Sequence, residues 1–242
     1  PFTVDAGWHD GHFEVVRRST GVVEKGQDWV EEPRPEVPQR AFTDISNGDV
    51  GLMIAVRGLP EVEVISPQEG KRSEIALTLL RCVGWLSRGD LPVRQGHAGP
   101  AYETPEAQMP GRWAFEYAII PHKGDWQAAY NRAYAYQTHI RAIGTGLHEG
   151  KLPNQGSFIL HTPEAFVISA IKSAENGQGW ILRGYNITGE EISVSIKTQL
   201  PYASIIRVNL AEEPQEELKT QNDGTIMVSA AGYEIVSLWF KS

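Results

Sequence analysis

Five carboxylates in or beside a long polar stretch are the residues best placed to do chemistry: Asp90, Glu103, Glu106, Glu116 and Asp125. Two carboxyl groups set about 5 to 10 Å apart across a sugar can act as the acid and the nucleophile or base of a glycosidase. Three of the five also fit structural roles, Asp90 in a turn, Glu106 at a short helical start and Asp125 as a helix cap. We expect no complete catalytic pair within this chain.

Two histidines could ligate a metal, since His9 and His12 stand three residues apart near Asp5. The sequence offers no third ligand at a known spacing and no helix to hold both rings on one face. The simpler interpretation is a solvated loop, and we expect no metal or cofactor site in this chain. No HExxH, GxSxG, phosphate-loop or CxxC motif occurs, so metal hydrolysis, serine-triad chemistry and nucleotide binding have no motif behind them.

The polar stretch itself, residues 81–108, is interrupted by glycines and prolines and predicts a long loop. Such loops are uncommon inside compact domains and often carry function. Trp85 is the tryptophan least readily assigned to a core, and an indole ring can stack on the apolar face of a sugar. His97, between two glycines, can donate to a neighbouring loop or to a sugar hydroxyl.

The elements around this loop read mostly as strands at hairpin spacing, which predicts a mainly β protein, a large antiparallel β-sandwich or two stacked ones. One short helix is expected near 126–138, after the Asp125 cap. We predict a large sandwich portion over 1–156 and further strands over 157–242, in the same sandwich or a smaller one packed closely. The predicted strands are 12–18, 28–30, 41–46, 51–57, 61–65, 74–83, 112–121, 157–161, 166–173, 180–186, 191–198, 204–209, 225–229 and 233–240.

Composition limits the partners. The net charge of −8 and pI near 5.4 argue against nucleic acid and anionic membranes, which attract basic surfaces. No apolar run approaches the roughly 20 residues of a membrane span. Cys82 is the single cysteine, which excludes an internal disulfide and favours a reducing, cytoplasmic compartment. Because residue 1 is Pro, we expect a piece of a longer or processed protein.

Three runs of sequence carry a family resemblance: GLPEVEV, IALTLLRCVGWLSRGDLPVRQGHAGP and TPEAQMPGRWAFEYAIIPHKGDW. They resemble the C-terminal region of bacterial and archaeal α-mannosidases of glycoside hydrolase family 38. The resemblance is strong over 42–126 and extends more loosely to the terminal EIVSLWF. GHAGP followed at this distance by TPEAQ is far more specific than a lone glycine motif.

The resemblance implies a non-catalytic part of a retaining, exo-acting enzyme. Members of the family carry an N-terminal zinc-binding barrel with an Asp nucleophile, then three helices, then β-sandwich domains. No barrel sequence is present here, so the resemblance implies neither a nucleophile nor a zinc ligand in this chain. It implies zinc only in the barrel of the parent protein, and that barrel as the partner of this chain.

A loop of the family's sandwich reaches the rim of the sugar pocket, and 81–108 is the natural candidate. Arg88, Asp90 and His97 would then hydrogen bond an α-mannoside or brace the barrel, with Trp85 beside them. Alternatively, the same residues latch the loop to its own sandwich. Two other functions stay open, a self-contained glycan-binding sandwich and a free-standing glycosidase. A missing barrel would leave an apolar patch near the loop or the N-terminal segment and favour self-association.

Overall fold

The computed structural model describes residues 2–21, 23–65 and 72–242. Contacts divide the chain into two compact units. The first contains the chain up to His12 together with Val16–Ile140, and the second contains Phe13–Val15 and Arg141–Ser242. The sequence-based domain division at 156 stays a prediction.

Antiparallel strands are the main regular structure of both units, as the sequence predicted. In chain order the strands are β1 (Ala6–Asp10), β2 (Val15–Ser19), β3 (Val37–Pro38), β4 (Phe42–Ser46), β5 (Val50–Arg57), β6 (Glu61–Ile65), β7 (Glu74–Leu77), β8 (Asp90–Leu91), β9 (Arg94–Gln95), β10 (Glu116–Lys123), β11 (Ile159–Thr162), β12 (Phe166–Ser173), β13 (Trp180–Asn186), β14 (Ile192–Thr198), β15 (Ser204–Val208), β16 (Pro214–Leu218), β17 (Ile226–Ala230) and β18 (Ile235–Lys241).

The first unit is built on a five-stranded sheet in the order β10-β5-β4-β1-β2, with a second sheet β3-β6-β7 and the small hairpin β8-β9. Strands β4 and β5 pair as an antiparallel hairpin, as the Asn47-Gly48 turn between the predicted strands 41–46 and 51–57 indicates. Its turn forms because the Asn47 side chain accepts hydrogen bonds from the backbone of Asp49 and Val50 at 3.1 and 3.0 Å. Gly48 has φ of +93°, a conformation that favours glycine.

The predicted helix is confirmed, but it begins at Tyr130 rather than near 126, and Asp125 instead caps a preceding turn by accepting a hydrogen bond from Gln127 N at 2.9 Å. A short 3-10 turn, Trp126–Ala128, leads into helix α1, Tyr130–Gln137. Trp126, Tyr130 and Ala133 are buried, and α1 packs on β5 and β10. No helix among residues 2–21, 23–65 and 72–242 has the length and apolar character of a membrane span.

The second unit has a five-stranded sheet in the order β12-β13-β18-β15-β16 and a three-stranded sheet β11-β14-β17. Alternate residues of these strands form one apolar core, which is the pattern of an antiparallel sandwich. The buried side chains of this core include Phe166, Leu182, Val194, Ile196, Ile226, Leu238 and Phe240. The mainly β sandwich predicted from the sequence is confirmed.

Several predicted strand bounds are wrong. Residues 28–30 form no strand, and a turn over residues 26–29 stands there instead, in which Trp29 N donates to Gly26 O. The strand predicted over 74–83 ends at Leu77, and the one predicted over 112–121 begins at Glu116. Strand β10 lies at the edge of its sheet, so Tyr117 and Ile119 are half exposed rather than core. The sequence-based prediction also missed β1, β3, β8, β9 and β16. A polar turn, which the sequence indicates between the strands 61–65 and 74–83, lies mostly outside the described residues.

Candidate functional site

The long loop of the first unit folds around one open pocket with a volume of about 520 Å³. The structure brings together all four residues singled out from the sequence, since Trp85, Arg88, Asp90 and His97 all line it. The rest of the lining is Ser87, Gly89, Gly96 and Ala101.

Backbone hydrogen bonds close the base of the loop. Leu86 N donates to Tyr102 O at 2.8 Å, and Thr104 N donates to Gly84 O at 3.0 Å. The Thr104 hydroxyl adds a bond to Val83 O at 2.9 Å. These bonds join the two ends of the loop, so it has a defined shape without a large apolar core of its own.

Ser87 holds the far side of the loop. Its hydroxyl accepts hydrogen bonds from Ala98 N at 3.1 Å and from Gly99 N at 3.2 Å. Sequence reasoning missed this residue, because its partners are backbone amides that meet it only once the loop has turned back. Ser87 therefore ties the loop to itself, whereas the predicted latching of the loop to its own sandwich stays a prediction.

Arg88 and Asp90 form a two-bond ion pair on the pocket wall. Arg88 Nε donates to Asp90 Oδ1 at 2.8 Å, and Nη2 donates to Oδ2 at 2.5 Å. The guanidinium holds the pKa of the Asp90 carboxyl below its usual value, so the group is ionised at neutral pH. It can accept hydrogen bonds from hydroxyl groups, but it cannot serve as a general acid.

His97 packs against Gly89 at the floor of the same pocket. A Cβ atom at position 89 would lie 2.8 Å from His97 Nε2, so the ring occupies space that only glycine leaves open. Trp85 is 40% exposed at the rim. An aromatic face, an ionised carboxylate and an imidazole thus converge on one cavity, as small-molecule sites require.

The other carboxylates predicted as catalytic candidates lie elsewhere. Glu116 pairs with Arg57 at 2.6 Å, and this pairing holds the pKa of its carboxyl below the usual value. Asp125 caps the turn before α1, and Glu106 lies in the 3-10 turn Pro105–Gln108. The backbone of Glu103 forms an isolated antiparallel β-bridge with that of Trp85. Asp90 is the one carboxylate among the lining residues, so the pocket offers half of a glycosidase pair.

His9 and His12, which could have ligated a metal, are not arranged as a site, and the solvated loop expected instead is wrong for His9, which lies in strand β1. His9 is buried, and its Nδ1 bonds Thr43 Oγ1 at 2.9 Å. Asp5 pairs with Arg17 at 3.1 Å on the surface. Within the described ranges, no group of three or more His, Cys, Asp or Glu side chains could hold a metal ion.

Comparisons with known proteins agree with the geometry. Residues 165–238 match the family model described as "Glycosyl hydrolases family 38 C-terminal beta sandwich domain". Over residues 165–238 the chain therefore carries a family 38 C-terminal β-sandwich domain. The resemblance predicted from the sequence is therefore confirmed.

Two of the similar proteins align with nearly the whole chain, and a third aligns with about half of it. A putative mannosylglycerate hydrolase of Halalkalibacterium halodurans is 31% identical over 234 residues, which are 96% of this chain and 23% of that protein. Alpha-mannosidase G of Dictyostelium discoideum is 29% identical over 46% of this chain and 11% of its own length. An alpha-mannosidase crystal structure from Enterococcus faecalis superposes with a TM-score of 0.75 and 27% identity, over 99% of this chain and 24% of that one. The chain thus spans less than a quarter of the length of these relatives.

Proposed function

We propose that this chain is the C-terminal β-sandwich part of an α-mannosidase, which supports a catalytic barrel and lines the rim of its substrate pocket. The observation that carries the proposal is the pocket of the long loop, where Trp85, Arg88, Asp90 and His97 meet. The relatives named alpha-mannosidase and mannosylglycerate hydrolase support the substrate class. By itself the chain is not a catalyst.

The pocket suits a neutral sugar. Because Arg88 and Asp90 neutralise each other through two hydrogen bonds, the wall has little net charge while keeping acceptors and donors for hydroxyl groups. The exposed face of Trp85 can stack on the apolar side of a pyranose ring. The volume of about 520 Å³ lies inside the range of roughly 300 to 1,000 Å³ that small-molecule sites occupy.

Under this proposal, a partner domain carries the catalytic residues. A barrel on the same polypeptide would supply the Asp nucleophile and a zinc ion, and this chain would supply no ligand to that metal. A cytoplasmic location fits the exposed free thiol of Cys82, which a reducing compartment keeps reduced. Exposed apolar side chains around the loop, Leu86 and Tyr102 among them, are consistent with a face that another domain covers.

The test is hydrolysis of an aryl α-mannoside by the longer polypeptide and by this chain alone. The chain alone should release no product. In the longer polypeptide, Asp90→Asn and Trp85→Ala should lower kcat/KM mainly through a higher KM, because they remove contacts to bound sugar rather than reacting groups. Glu106→Gln, outside the pocket, is the matched control and should leave both constants unchanged.

Two results would contradict the proposal. One is unchanged kcat/KM in both pocket variants of an active longer polypeptide. The other is turnover by the chain alone that Asp90→Asn abolishes, which would make it a free-standing glycosidase.

A self-contained glycan-binding module is the second candidate, because the loop completes its pocket without another chain. Calorimetric titration of the isolated chain with mannose oligosaccharides tests it. Saturable binding that Trp85→Ala removes would favour this second function over a rim role.

A further inference from the structure

The sequence contains two Asn-Gly pairs, Asn47-Gly48 and Asn176-Gly177. Each pair lies in the turn of a hairpin, the first between β4 and β5 and the second between β12 and β13. All four residues are exposed, and the two glycines have positive φ, +93° and +73°. No described atom lies within 4 Å of the position that a Cβ atom would take on either glycine. The two sites are therefore matched in sequence, exposure and backbone conformation.

An Asn-Gly pair can react with itself, because no glycine side chain shields the backbone nitrogen from the neighbouring amide. The nitrogen loses its proton to a solvent base and bonds to the Asn Cγ atom. The bond from Cγ to Nδ2 breaks, and ammonia leaves with a proton returned by solvent. Water then opens the resulting five-membered succinimide at either of its two carbonyl carbons, which gives aspartate or isoaspartate. The sum is asparagine plus water giving the acid plus ammonia, with no oxidation or reduction.

At the first site the attacking nitrogen is free. Gly48 N donates a hydrogen bond to no other described residue. The Asn47 side chain is held with its Oδ1 atom 3.1 Å from Asp49 N and 3.0 Å from Val50 N. Negative charge grows on this oxygen as the nitrogen attacks, and two backbone donors already aimed at it stabilise that charge. The turn thus combines an uncommitted nucleophile with prepared donors for the oxyanion.

At the second site the corresponding nitrogen is engaged. Gly177 N donates to Ala174 O at 2.9 Å, which closes a four-residue turn. The nitrogen must give up that hydrogen bond before it can attack. Among the described residues, Asn176 Oδ1 has one backbone donor, Gln178 N at 2.9 Å, where Asn47 has two. Both differences raise the barrier to reaction at Asn176.

We propose that Asn47 is a site of spontaneous deamidation in the folded protein and that the second hairpin protects Asn176. This reactivity does not depend on the mannosidase function. The aspartate product keeps an oxygen that can accept from Asp49 N and Val50 N, so it preserves the turn. Isoaspartate adds a methylene group to the main chain, which displaces Asn47 N from Val50 O, now 3.1 Å away. The modification therefore accumulates with time in the turn that leads into β5.

Peptide mapping by mass spectrometry, after incubation of the longer polypeptide at mildly alkaline pH, tests the proposal. Asn47 should convert roughly tenfold faster than Asn176, since a difference of one hydrogen bond in reaching the transition state corresponds to about that factor. In urea the two sites should convert at similar rates, because the turns that distinguish them are lost. Enzymatic methylation of isoaspartate should label the peptide that contains residue 47 first.

Two variants assign the reaction to its atoms. Gly48→Ala should slow conversion of Asn47 by crowding the attacking nitrogen, and Gly177→Ala, at a glycine that also has positive φ, is the matched control and should leave the Asn47 rate unchanged. Because Gly48→Ala strains the turn, Asn47→Asp is the second variant. It retains an acceptor but has no amide to lose, so it should keep the melting temperature and remove the fast phase of ammonia release.

Three results would overturn the proposal. The first is conversion of Asn176 as fast as that of Asn47 in the folded protein. The second is a ratio of the two rates that is the same in urea as in buffer, since sequence and not structure would then set it. The third is a fast phase of ammonia release that persists in Asn47→Asp.

Discussion

The two units bury different kinds of side chains. Beneath α1, the first unit buries ionisable residues such as Asp10 and Asp44, which are 1% and 0% exposed. The sandwich core of the second unit is hydrocarbon, and its buried Asn186 is neutral and donates to the backbone oxygens of Ala230 and Ala231. The first unit therefore adds buried, hydrogen-bonded ionisable groups to its apolar core, and the second relies mainly on packing.

Both buried carboxylates of the first unit, Asp10 and Asp44, bond to groups from distant parts of the chain. Asp10 accepts hydrogen bonds from Ala41 N at 2.9 Å, from the Tyr134 hydroxyl at 2.7 Å and from Arg40 at 3.0 Å. Burial nevertheless raises the pKa of the Asp10 carboxyl, because loss of hydration outweighs these partners. Such groups contribute little net stability but make wrong pairings costly.

Asp44 and His122 form a buried contact in the first unit, packed closely against strand β5. His122 Nε2 lies 2.6 Å from Asp44 Oδ2, and both side chains are buried. Burial raises the pKa of the Asp44 carboxyl, and the His122 contact opposes that rise. The His122 ring lies over Gly51, where a Cβ atom would come within 2.1 Å of the ring. A glycine on a central strand thus makes room for one buried polar contact.

The largest effect should come from breaking the packing of the second unit. Phe240 is fully buried, stacks on Trp180 with ring centroids 3.9 Å apart, and meets Tyr202 edge-on. Phe240→Ala should lower the free energy of unfolding by about 4 kcal/mol, from lost transfer energy and the cavity left behind. Urea denaturation followed by hydrogen exchange would assign the loss to the second unit.

Ile171→Ala is the control for that substitution. The side chain is exposed, so the change should stay within about 0.5 kcal/mol. A similar loss for both variants would show that packing in this core is not what stabilises the second unit.

The first unit should instead respond to pH, through His9. Thr43 donates its single hydroxyl proton to Gln39 Oε1 at 2.7 Å, so it must accept from His9 Nδ1–H. Burial, with a smaller contribution from the charge of Arg18, lowers the pKa of His9 from 6.5 to about 4. The buried ring is therefore neutral down to that pH.

This lowered pKa fixes the sign of the pH dependence. Between pH 6.5 and about 4 the unfolded chain binds a proton that the folded chain does not, so stability is full above 6.5 and is lost as pH falls. The loss should reach about 3 kcal/mol for this group. Asp10 and Asp44 act in the opposite sense, because their raised pKa values let the folded state bind protons first.

A comparison with His9→Gln isolates the histidine, since other titrating groups are common to both proteins. Urea denaturation at pH 7 and pH 4.5 should show a smaller loss of stability in the variant. If both proteins lose the same stability, charge burial at His9 is not what distinguishes the first unit.

Prediction from sequence succeeded where local rules decide the structure. Strands β12 and β13 have the predicted bounds, because alternation and glycine turns define them locally. The buried charges of the first unit could not be predicted in this way. Asp44 meets a histidine 78 residues away and Asp10 a tyrosine 124 residues away, and an Asp in a strand carries no local sign of such a partner.

The proximity of the four candidate residues was predictable for a different reason. All four lie within one loop, so a single uncommon stretch of sequence already contained Trp85, Arg88, Asp90 and His97. Two details depend on how the loop turns back and could not be predicted. These are the bonds to the Ser87 hydroxyl and the packing of His97 on Gly89.

The smallest expected effect concerns Asp125, which caps the 3-10 turn leading into α1. Asp125→Ala removes the acceptor of Gln127 N and should lower the free energy of unfolding by about 1 kcal/mol. Asp125→Asn keeps a side-chain acceptor and should lose far less, so the pair of variants separates the hydrogen bond from the charge. Hydrogen exchange should speed up in α1 and leave β12 and β13 unchanged. Equal losses in the two variants would mean that the charge of Asp125, rather than its hydrogen bond, supports the helix over the buried carboxylates.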